Sequence, residues 1–296
     1  MALVALSVII ISGAAVRLTN SGLGCDDWPN CSSTRLIDVS SKHAAIEQVN
    51  RLFTFVVGAA VIAAVLGSLR RVPRRRDLVW LSWSLVIGVI ANAVLGGISV
   101  LVDLHPAAVQ GHLLLSMMLI AAGTWLVRRA SEPDGVPLER VVSRTTERLA
   151  WLVFAVTSVA IVTGTVVTGA GPHAGDESAE RLDIAIPTAA RLHAVTVLTA
   201  IALALLLAWR ARSVVADRAV IMPSLSRWIG VALLQAALGY IQYFNDVPEL
   251  LVGIHVLGAT LVMIATTLLV LDTRRPALGT TDPDSTDDAP SHTATV

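Results

Sequence analysis

The sequence has few charged residues, few aromatic residues and only two cysteines. Charged residues make up 15% of its 296 residues and aromatic residues 4%, whereas about a quarter of a typical soluble domain is charged. Because the two cysteines form no Cys-x-x-Cys pair, zinc ribbons, iron–sulfur clusters and disulfide-rich scaffolds are excluded as organising features. The 22 basic residues are balanced by 22 acidic ones, so no excess positive charge attracts DNA or RNA, and we expect no nucleic-acid partner.

Apolar residues are abundant instead, at 54% of the chain with a mean hydropathy of +0.71. A helix needs about 20 mostly apolar residues to cross the hydrocarbon layer of a membrane. Eight uncharged runs near that length predict an all-α membrane protein with eight transmembrane helices. The runs are Met1–Val16, Leu52–Leu69, Leu78–Val102, Ala107–Val127, Leu149–Gly171, Leu192–Trp209, Trp228–Asn245 and Leu250–Leu271.

The first run is short, and the small residues at positions 12–15 make a signal peptide the alternative interpretation. The run has no basic region at its start and leads directly into Arg17. These two features favour a span that is retained in the protein.

The basic residues gather at one end of the predicted helices, after spans two, four, six and eight. They are Arg70, Arg71, Arg74, Arg75, Arg76, Arg128, Arg129, Arg140, Arg144, Arg148, Arg210, Arg212, Arg218, Arg227, Arg274 and Arg275, which is 16 of the 22. The positive-inside rule assigns this side to the cytoplasm. We therefore expect a multi-pass protein of the cell membrane with both termini in the cytoplasm.

An internal repeat with an offset of 143 residues relates the two halves of the chain. The matching positions are Gly96 and Gly239, Asp103 and Asp246, and His112 and His255. Since each half contains an even number of spans, both copies have the same orientation, and we predict two pseudo-symmetric four-helix bundles. The predicted parts are an N-terminal bundle (1–130), a cytoplasmic linker (131–147), a C-terminal bundle (148–275) and a disordered cytoplasmic tail (276–296).

The repeat also brings together the polar residues of the spans. His193 and His255 begin spans six and eight, enter the membrane from the outer side and can face each other at equal depth. Polar side chains in lipid are costly unless partnered, so such histidines are candidates for a functional site. Facing imidazoles are typical axial ligands of a haem iron in a helical bundle; alternatively, each histidine hydrogen-bonds a neighbouring helix. Zinc is not favoured, because spans six and eight offer no further carboxylate or thiol.

Five motifs carry a resemblance to a known family that covers the chain from Ser12 to about Leu271. They are RLTNSGLGCDDWPNC at 17–31, EQVNR at 47–51, GHL at 111–113, GPHAGD at 171–176 and GIHVLG at 253–258. On these motifs, of which the first and fourth are the most specific, the sequence resembles the haem A synthase family. The resemblance implies eight helices in two similar bundles and the oxidation of a methyl group of haem O to the formyl group of haem A.

The resemblance also implies two haem sites. In the C-terminal half, His193 and His255 would ligate a resident haem b, and His173 would cap its pocket. In the N-terminal half, His112 would face the substrate haem O. Arginines at outer helix ends would pair with haem propionates, or their side chains extend to the lipid headgroups instead; these arginines are Arg17, Arg51 and Arg191.

One position departs from the family pattern, which usually has Glu-x-x-His-Arg where this chain has Asn50 before Arg51. The repeat places the same Asn50 opposite His193. An iron held by His112 alone would keep one axial position open, as oxygen chemistry requires. We therefore expect Asn50 to tune or hydrogen-bond that position without ligating the iron.

Glu47 and the two cysteines each have two interpretations. Glu47 is either half of a helical pair with Arg51 or, as the resemblance implies, a catalytic carboxylate beside the reacting methyl group that stabilises positive charge or relays protons.

Cys25 and Cys31 lie in an outer loop, where a disulfide is permitted. They form either a structural staple or, by resemblance, a redox-active pair that exchanges electrons with an extracytoplasmic thiol protein.

The expected function is that of a membrane-bound, haem-dependent oxidoreductase that makes haem A by successive hydroxylations of one methyl group. A haem O synthase is a partner consistent with this role. A b-type cytochrome that only transfers electrons is the main rival, and it predicts symmetric bis-histidine sites. A transporter would bind its substrate at the repeat interface and would have helices broken in mid-membrane, whereas the polar residues here lie near the outer face.

Overall fold

The computed structural model describes residues 1–277. This part of the chain forms eight α-helices and two short strands. In chain order they are α1 (Ala2–Leu18), α2 (Lys42–Arg70), α3 (Arg76–Leu101), α4 (Pro106–Ala130), β1 (Leu138–Arg140), α5 (Arg144–Ala170), α6 (Ile186–Arg212), α7 (Val215–Phe244), α8 (Glu249–Leu271) and β2 (Arg274–Pro276). Seven helices are long and apolar enough to span a membrane, and α1 is an apolar helix of 17 residues. The prediction of an all-α membrane protein with eight helices is confirmed.

Several helices extend beyond the apolar runs that predicted them. Helix α2 begins at Lys42, where the Ser41 side chain accepts a hydrogen bond from the backbone N–H of Ala44. Glu47 and Asn50 therefore belong to regular helix. The extension is expected because a helix pairs its own backbone groups whatever its side chains are.

The predicted linker and tail meet in a small sheet. Strand β1 pairs antiparallel with β2, so that Leu138 lies opposite Pro276. Pro276, which we assigned to the tail, is thus the last residue of a strand, and the first residues of α5 lie within the predicted linker. The remainder of the predicted tail, residues 278–296, lies outside the described residues.

The helices form two rings of four. In the first ring α1 and α3 each pack against both α2 and α4; in the second, α5 and α7 each pack against both α6 and α8. Helices α2 and α4 are therefore diagonal partners, as are α6 and α8. The rings lie side by side, because α8 contacts α1 and α4, and α4 also contacts α5.

Each ring has an apolar core between the predicted site residues and the arginine-rich helix ends. The first contains Leu6, Val57, Leu85 and Ile120, one from each helix. The second contains Val153, Leu207, Leu225, Trp228 and Leu269. The buried Trp228 indole donates to the Thr266 hydroxyl over 2.7 Å, which satisfies its polar N–H group in the apolar interior.

The backbone reproduces the sequence repeat at the outer turns. Two consecutive residues after α3, Asp103 and Leu104, have positive φ angles of 52° and 58°. Two consecutive residues after α7, Asp246 and Val247, have φ angles of 57° and 55°. Non-glycine residues seldom adopt this conformation. The matched pairs, 143 positions apart in sequence, show that both halves use the same turn to enter the last helix.

Charged residues tie the helices together at the end where the arginines cluster. Asp77 at the start of α3 accepts from Arg75 over 2.7 Å and from Arg129 over 2.8 Å. Arg128 of α4 reaches Asp272, just after α8, over 3.1 Å. The last contact joins the two halves of the molecule.

The outer loop between α1 and α2 is packed against α3 through Trp28. A Cβ atom added to Gly97 would overlap the Trp28 indole ring. Cys25, Cys31 and Ala44 form a small buried cluster beneath the same loop. Gly97 therefore sets how closely this loop approaches the helices.

Replacing Gly97 tests this packing. We expect Gly97→Ala to lower the free energy of unfolding by about 1–3 kcal/mol, because the methyl group displaces the indole from its place. The matched control is Gly58→Ala in α2, where an added Cβ meets no atom within 4 Å. Thermal unfolding in detergent measures both variants, and equal midpoints would contradict the packing described.

Candidate functional site

His193 and His255 meet across the second ring. Their helices, α6 and α8, are diagonal partners, and the centroids of the two imidazole rings lie 6.4 Å apart at an interplanar angle of 73°. Two metal–nitrogen bonds of about 2 Å each, with a ring radius of about 1 Å on either side, separate two such centroids by about 6 Å. The distance between the two rings therefore matches the separation that one metal ion between them would require.

Hydrogen bonds orient two of the three intramembrane histidines. The Nδ1–H group of His193 donates to the Ala160 carbonyl over 2.9 Å, and that of His112 donates to the Asn92 carbonyl over 3.0 Å. A carbonyl can only accept, so Nδ1 carries the proton and Nε2 keeps its lone pair. Metal-ligating histidines commonly have this arrangement, in which the second nitrogen fixes the ring.

His255 differs, because its Nδ1 atom is buried without a hydrogen-bond partner among the described residues. The equivalent of Asn92 here is Gln235, whose side-chain amide donates to the His255 carbonyl over 2.8 Å. A buried imidazole nitrogen without a partner is costly. Among the described residues, no hydrogen bond to Nδ1 therefore fixes this ring, unlike the rings of His112 and His193.

Each of the three histidines lies against a glycine of the neighbouring helix. A Cβ atom added to Gly164 would lie 3.1 Å from Cε1 of His193, and one added to Gly239 would lie 3.3 Å from Cε1 of His255. In the first ring, a Cβ on Gly96 would lie 2.9 Å from Cε1 of His112. We call these three glycines the imidazole seats. Because each lacks a side chain, an imidazole ring can pack directly against the backbone of its helix.

The first ring contains His112 on α4 and Asn50 on its diagonal partner α2. Asn50 accepts a hydrogen bond from the Ser12 hydroxyl of α1 over 2.7 Å. His112 is supported by a chain in which Asn92 donates to Ser116 over 2.9 Å and Ser116 donates to the His112 carbonyl over 2.8 Å. The two rings of helices thus have similar backbones but differ at one position. Asn50 lies on the helix opposite His112, whereas His193 lies on the helix opposite His255.

Glu47 lies at the outer end of the first ring, buried beneath the loop. Its Oε2 atom accepts from the Cys25 backbone N–H over 2.8 Å. Its Oε1 atom accepts from Nε and Nη2 of Arg51 over 3.0 and 2.6 Å. Both carboxylate oxygens are therefore engaged, and the helical pair with Arg51 that we considered from the sequence is present.

Cys25 and Cys31 form a disulfide in this loop, as expected, and both are almost fully buried, at 1% and 2% exposure. Arg51 fixes the same loop, because its Nη1 atom donates to the carbonyls of Asp27 over 3.0 Å and Asn30 over 2.9 Å. The loop thus depends on a covalent bond and on a buried ion pair.

Arg17 and Arg191, which we also predicted to pair with haem propionates, lie in different surroundings from Arg51. Within residues 1–277, the side chains of Arg17 and Arg191 make no hydrogen bond and no ion pair. Arg17 lies at the end of α1 against Gly175 of the opposite half, whereas Arg191 is exposed near the start of α6. Arg51 is already engaged, so these two arginines have the donors that are free for an anionic group.

His173 links two outer connections of the second half, where its Nε2–H donates to the Val247 carbonyl over 2.8 Å. In the same loop Asp176 accepts from the Ser178 N–H and hydroxyl groups over 2.9 and 2.6 Å, and these bonds lower the pKa of its carboxyl group. The Gly22 N–H donates to the Gly175 carbonyl over 2.9 Å. The outer loops of both halves are therefore joined above the rings.

Ser12 and the seat glycine Gly164 were not among the site residues predicted from the sequence. Ser12 corresponds to Thr163, whose hydroxyl lies 3.3 Å from Nδ1 of His193. The signal was a small polar residue followed by glycine in both α1 and α5. The outer loop of the first half is longer, so these residues do not align at the 143-residue offset.

Removing the Glu47 carboxylate tests the anchoring of the disulfide loop. We expect Glu47→Ala to lower the free energy of unfolding by about 3 kcal/mol, since Arg51 then remains buried without its counter-charge. Trypsin should also cleave the loop at Arg35 faster. Asp38→Asn, which breaks an exposed pair with Arg35 in the same loop, is the control and should leave stability unchanged. Equal stability of both variants would contradict the anchoring role.

Comparison with known proteins identifies relatives. The chain is similar to the heme A synthase of Bradyrhizobium diazoefficiens, with 28% identity over 93% of this chain and 89% of that protein. It is 26% identical to the heme A synthase of Geobacillus kaustophilus over 45% of this chain, and 30% identical to that of Alkalihalophilus pseudofirmus over 43%. These two alignments span about two fifths of each relative's length, 41% and 43%. The family model COX15-CtaA, described as cytochrome oxidase assembly protein, matches residues 1–175, and the chain belongs to this family.

Proposed function

We propose that this protein is a haem A synthase, a membrane-bound, haem-dependent oxidoreductase that converts haem O to haem A. The observation that carries the proposal is the difference between the two rings. One has two facing imidazoles at metal-bridging distance, and the other has one imidazole opposite an asparagine. This arrangement suits one haem held for electron transfer and a second haem held for reaction.

In this proposal residues 148–275 hold a resident haem b. His193 and His255 would hold it, and their seats Gly164 and Gly239 leave space for the two imidazole rings. His173 closes the outer end through its hydrogen bond to the Val247 carbonyl. When bound, this haem supplies one-electron redox chemistry.

Residues 1–130 take the substrate. His112 binds haem O from one side and orients it, with its ring fixed by the Asn92 carbonyl. Two successive hydroxylations convert the methyl group first to a hydroxymethyl group and then to a gem-diol, which loses water to become the formyl group. In each hydroxylation dioxygen is the oxidant. One of its oxygen atoms enters a C–H bond of that carbon, and the other leaves as water with two protons and two electrons from an external reductant.

Glu47 acts in this proposal as a fixed negative charge at the outer edge of the substrate half. Its oxygens are occupied by Arg51 and by the loop amide of Cys25. A carboxylate held in this way favours the electrostatic role over the proton relay, because the donors of Arg51 and Cys25 stabilise its charged form. The unpaired guanidinium groups of Arg17 and Arg191 are assigned to haem propionates.

For the cysteine pair we favour the structural staple. Reactive cysteines are usually partly exposed, whereas Cys25 and Cys31 are buried beneath the loop. A thiol-exchange partner on the outer side would need the loop to open first. A haem O synthase remains the proposed source of substrate.

We also propose that both termini face the cytoplasm. The arginine-rich helix ends that carry Arg71, Arg75 and Arg129 define the inner side by the positive-inside rule. The disulfide loop then lies on the oxidising outer side, where disulfides persist. The histidines lie in the outer half of the membrane.

Haem analysis tests the proposed activity. The chain is co-expressed with a haem O synthase, purified, and its extracted haems are separated by chromatography. We expect haem B together with haem A or its hydroxymethyl precursor. Haem B alone with haem O supplied would favour the electron-transfer cytochrome, and a preparation without haem would contradict the ligand assignments.

Single histidine variants test which ring holds the resident haem. We expect His193→Ala and His255→Ala each to lose most of the haem b absorbance, because one axial bond and its cavity lining disappear together. His105→Ala is the control, since this histidine lies with an exposed side chain at the start of α4. Retention of haem b in both ring variants would contradict the assignment.

A further inference from the structure

The first ring contains a fourth imidazole seat without an imidazole. Ser12 and Gly13 of α1 correspond to Thr163 and Gly164 of α5, and Asn50 of α2 corresponds to His193 of α6. Ser12 bonds the Asn50 side chain as Thr163 contacts the His193 ring. Gly13 is therefore the counterpart of the glycine against which His193 packs.

The space beside this glycine is open. A Cβ atom added to Gly13 would meet no atom within 4 Å, whereas each of the other three seats faces a histidine Cε1 atom within 3.3 Å. Gly13 lies on the helical face of the buried residues Leu6 and Ile10, one turn nearer the outer side. The open space is thus directed to the interior of the ring.

The Asn50 side chain has a defined orientation at the edge of this space. Ser12 donates to its Oδ1 atom over 2.7 Å, a shorter contact than the 3.1 Å to the Ile9 carbonyl. The Nδ2 group donates to no acceptor among the described residues. It therefore has two N–H groups available to a ligand that enters the space.

We propose that Ser12, Gly13 and Asn50 form a binding site for a small uncharged ligand of the substrate iron, on the side opposite His112. The chemical class is dioxygen, for which carbon monoxide and imidazole serve as probes. The inference rests on the proposed function, since haem O must occupy this ring. In this proposal the ligand occupies the open space beside Gly13, and the Asn50 side-chain amide donates a hydrogen bond to it.

The weak ligand strength of an amide and the open space beside Gly13 both favour a small ligand at this position. A neutral amide is a poor iron ligand compared with imidazole, which His193 supplies at the equivalent position of the other ring. The asparagine side chain is also shorter than histidine, so it leaves volume where an imidazole would lie. A small ligand in that volume would meet the Nδ2 donor, which stabilises a partial negative charge on its outer atom.

Carbon monoxide binding tests the site without measuring turnover. The protein is loaded with haem O, the haems are quantified after extraction, and the reduced sample is titrated with carbon monoxide by difference spectroscopy. The same protein without haem O is the blank. We expect about one equivalent of carbon monoxide per bound haem O and none at the bis-histidine haem.

Variants of the seat distinguish coordination from packing. Asn50→His should convert the substrate iron to a six-coordinate low-spin spectrum and weaken carbon monoxide binding at least tenfold. Asn50→Ala should keep the open position and bind carbon monoxide, and Gly13→Leu should weaken imidazole binding at least tenfold by filling the seat. Gly58→Leu, at an open position elsewhere, is the control and should bind both probes like the parent protein.

The outcomes separate the two proposals. Bound haem O that is six-coordinate in the parent protein and binds no carbon monoxide would overturn the inference and leave the proposed function intact. Unchanged imidazole affinity in Gly13→Leu would overturn the assignment of the seat. Failure of the purified protein to retain haem O would overturn the proposed function, and the inference would fall with it.

Discussion

An imidazole reaches the axis of a four-helix bundle only where the neighbouring helix leaves out its own side chain. That constraint recurs through this molecule, because His112, His193 and His255 each lie against a glycine. The glycine removes the steric barrier, and the carbonyl one turn earlier receives the Nδ1–H group of two of the rings. For His112 and His193, the position of the ring, its tautomer and the direction of the free nitrogen all follow from this one local packing arrangement.

The two halves share this arrangement but use it differently. In the second ring, two imidazoles face each other across the bundle. The first ring replaces one imidazole by Asn50 and has a longer outer loop that contains the disulfide. Arg51, the next residue along α2, clamps that loop through Glu47 and two loop carbonyls. One turn of α2 therefore provides both Asn50, inside the first ring, and Arg51, which fixes the loop above that ring.

Much of the fold could be predicted because lipid restricts the choices. Long apolar runs gave the helices, and the offset of 143 residues paired Asp103 with Asp246, whose backbones adopt the same rare conformation. The seat glycines Gly13 and Gly164 could not be recognised in this way. Which neighbouring side chain a glycine faces depends on helix rotation and loop length, and the longer first loop shifts α1 relative to the repeat.

The roles of the charged residues also required three-dimensional contacts. Sequence position alone treated Arg17, Arg51 and Arg191 alike, as basic residues at outer helix ends. The structure separates them, because Arg51 is held by Glu47 and the loop, whereas Arg17 lies against the loop of the other half. A guanidinium between two halves, with no acceptor in residues 1–277, can bind an anion from either ring. In our proposal Arg17 therefore pairs with a haem propionate at the boundary between the two halves.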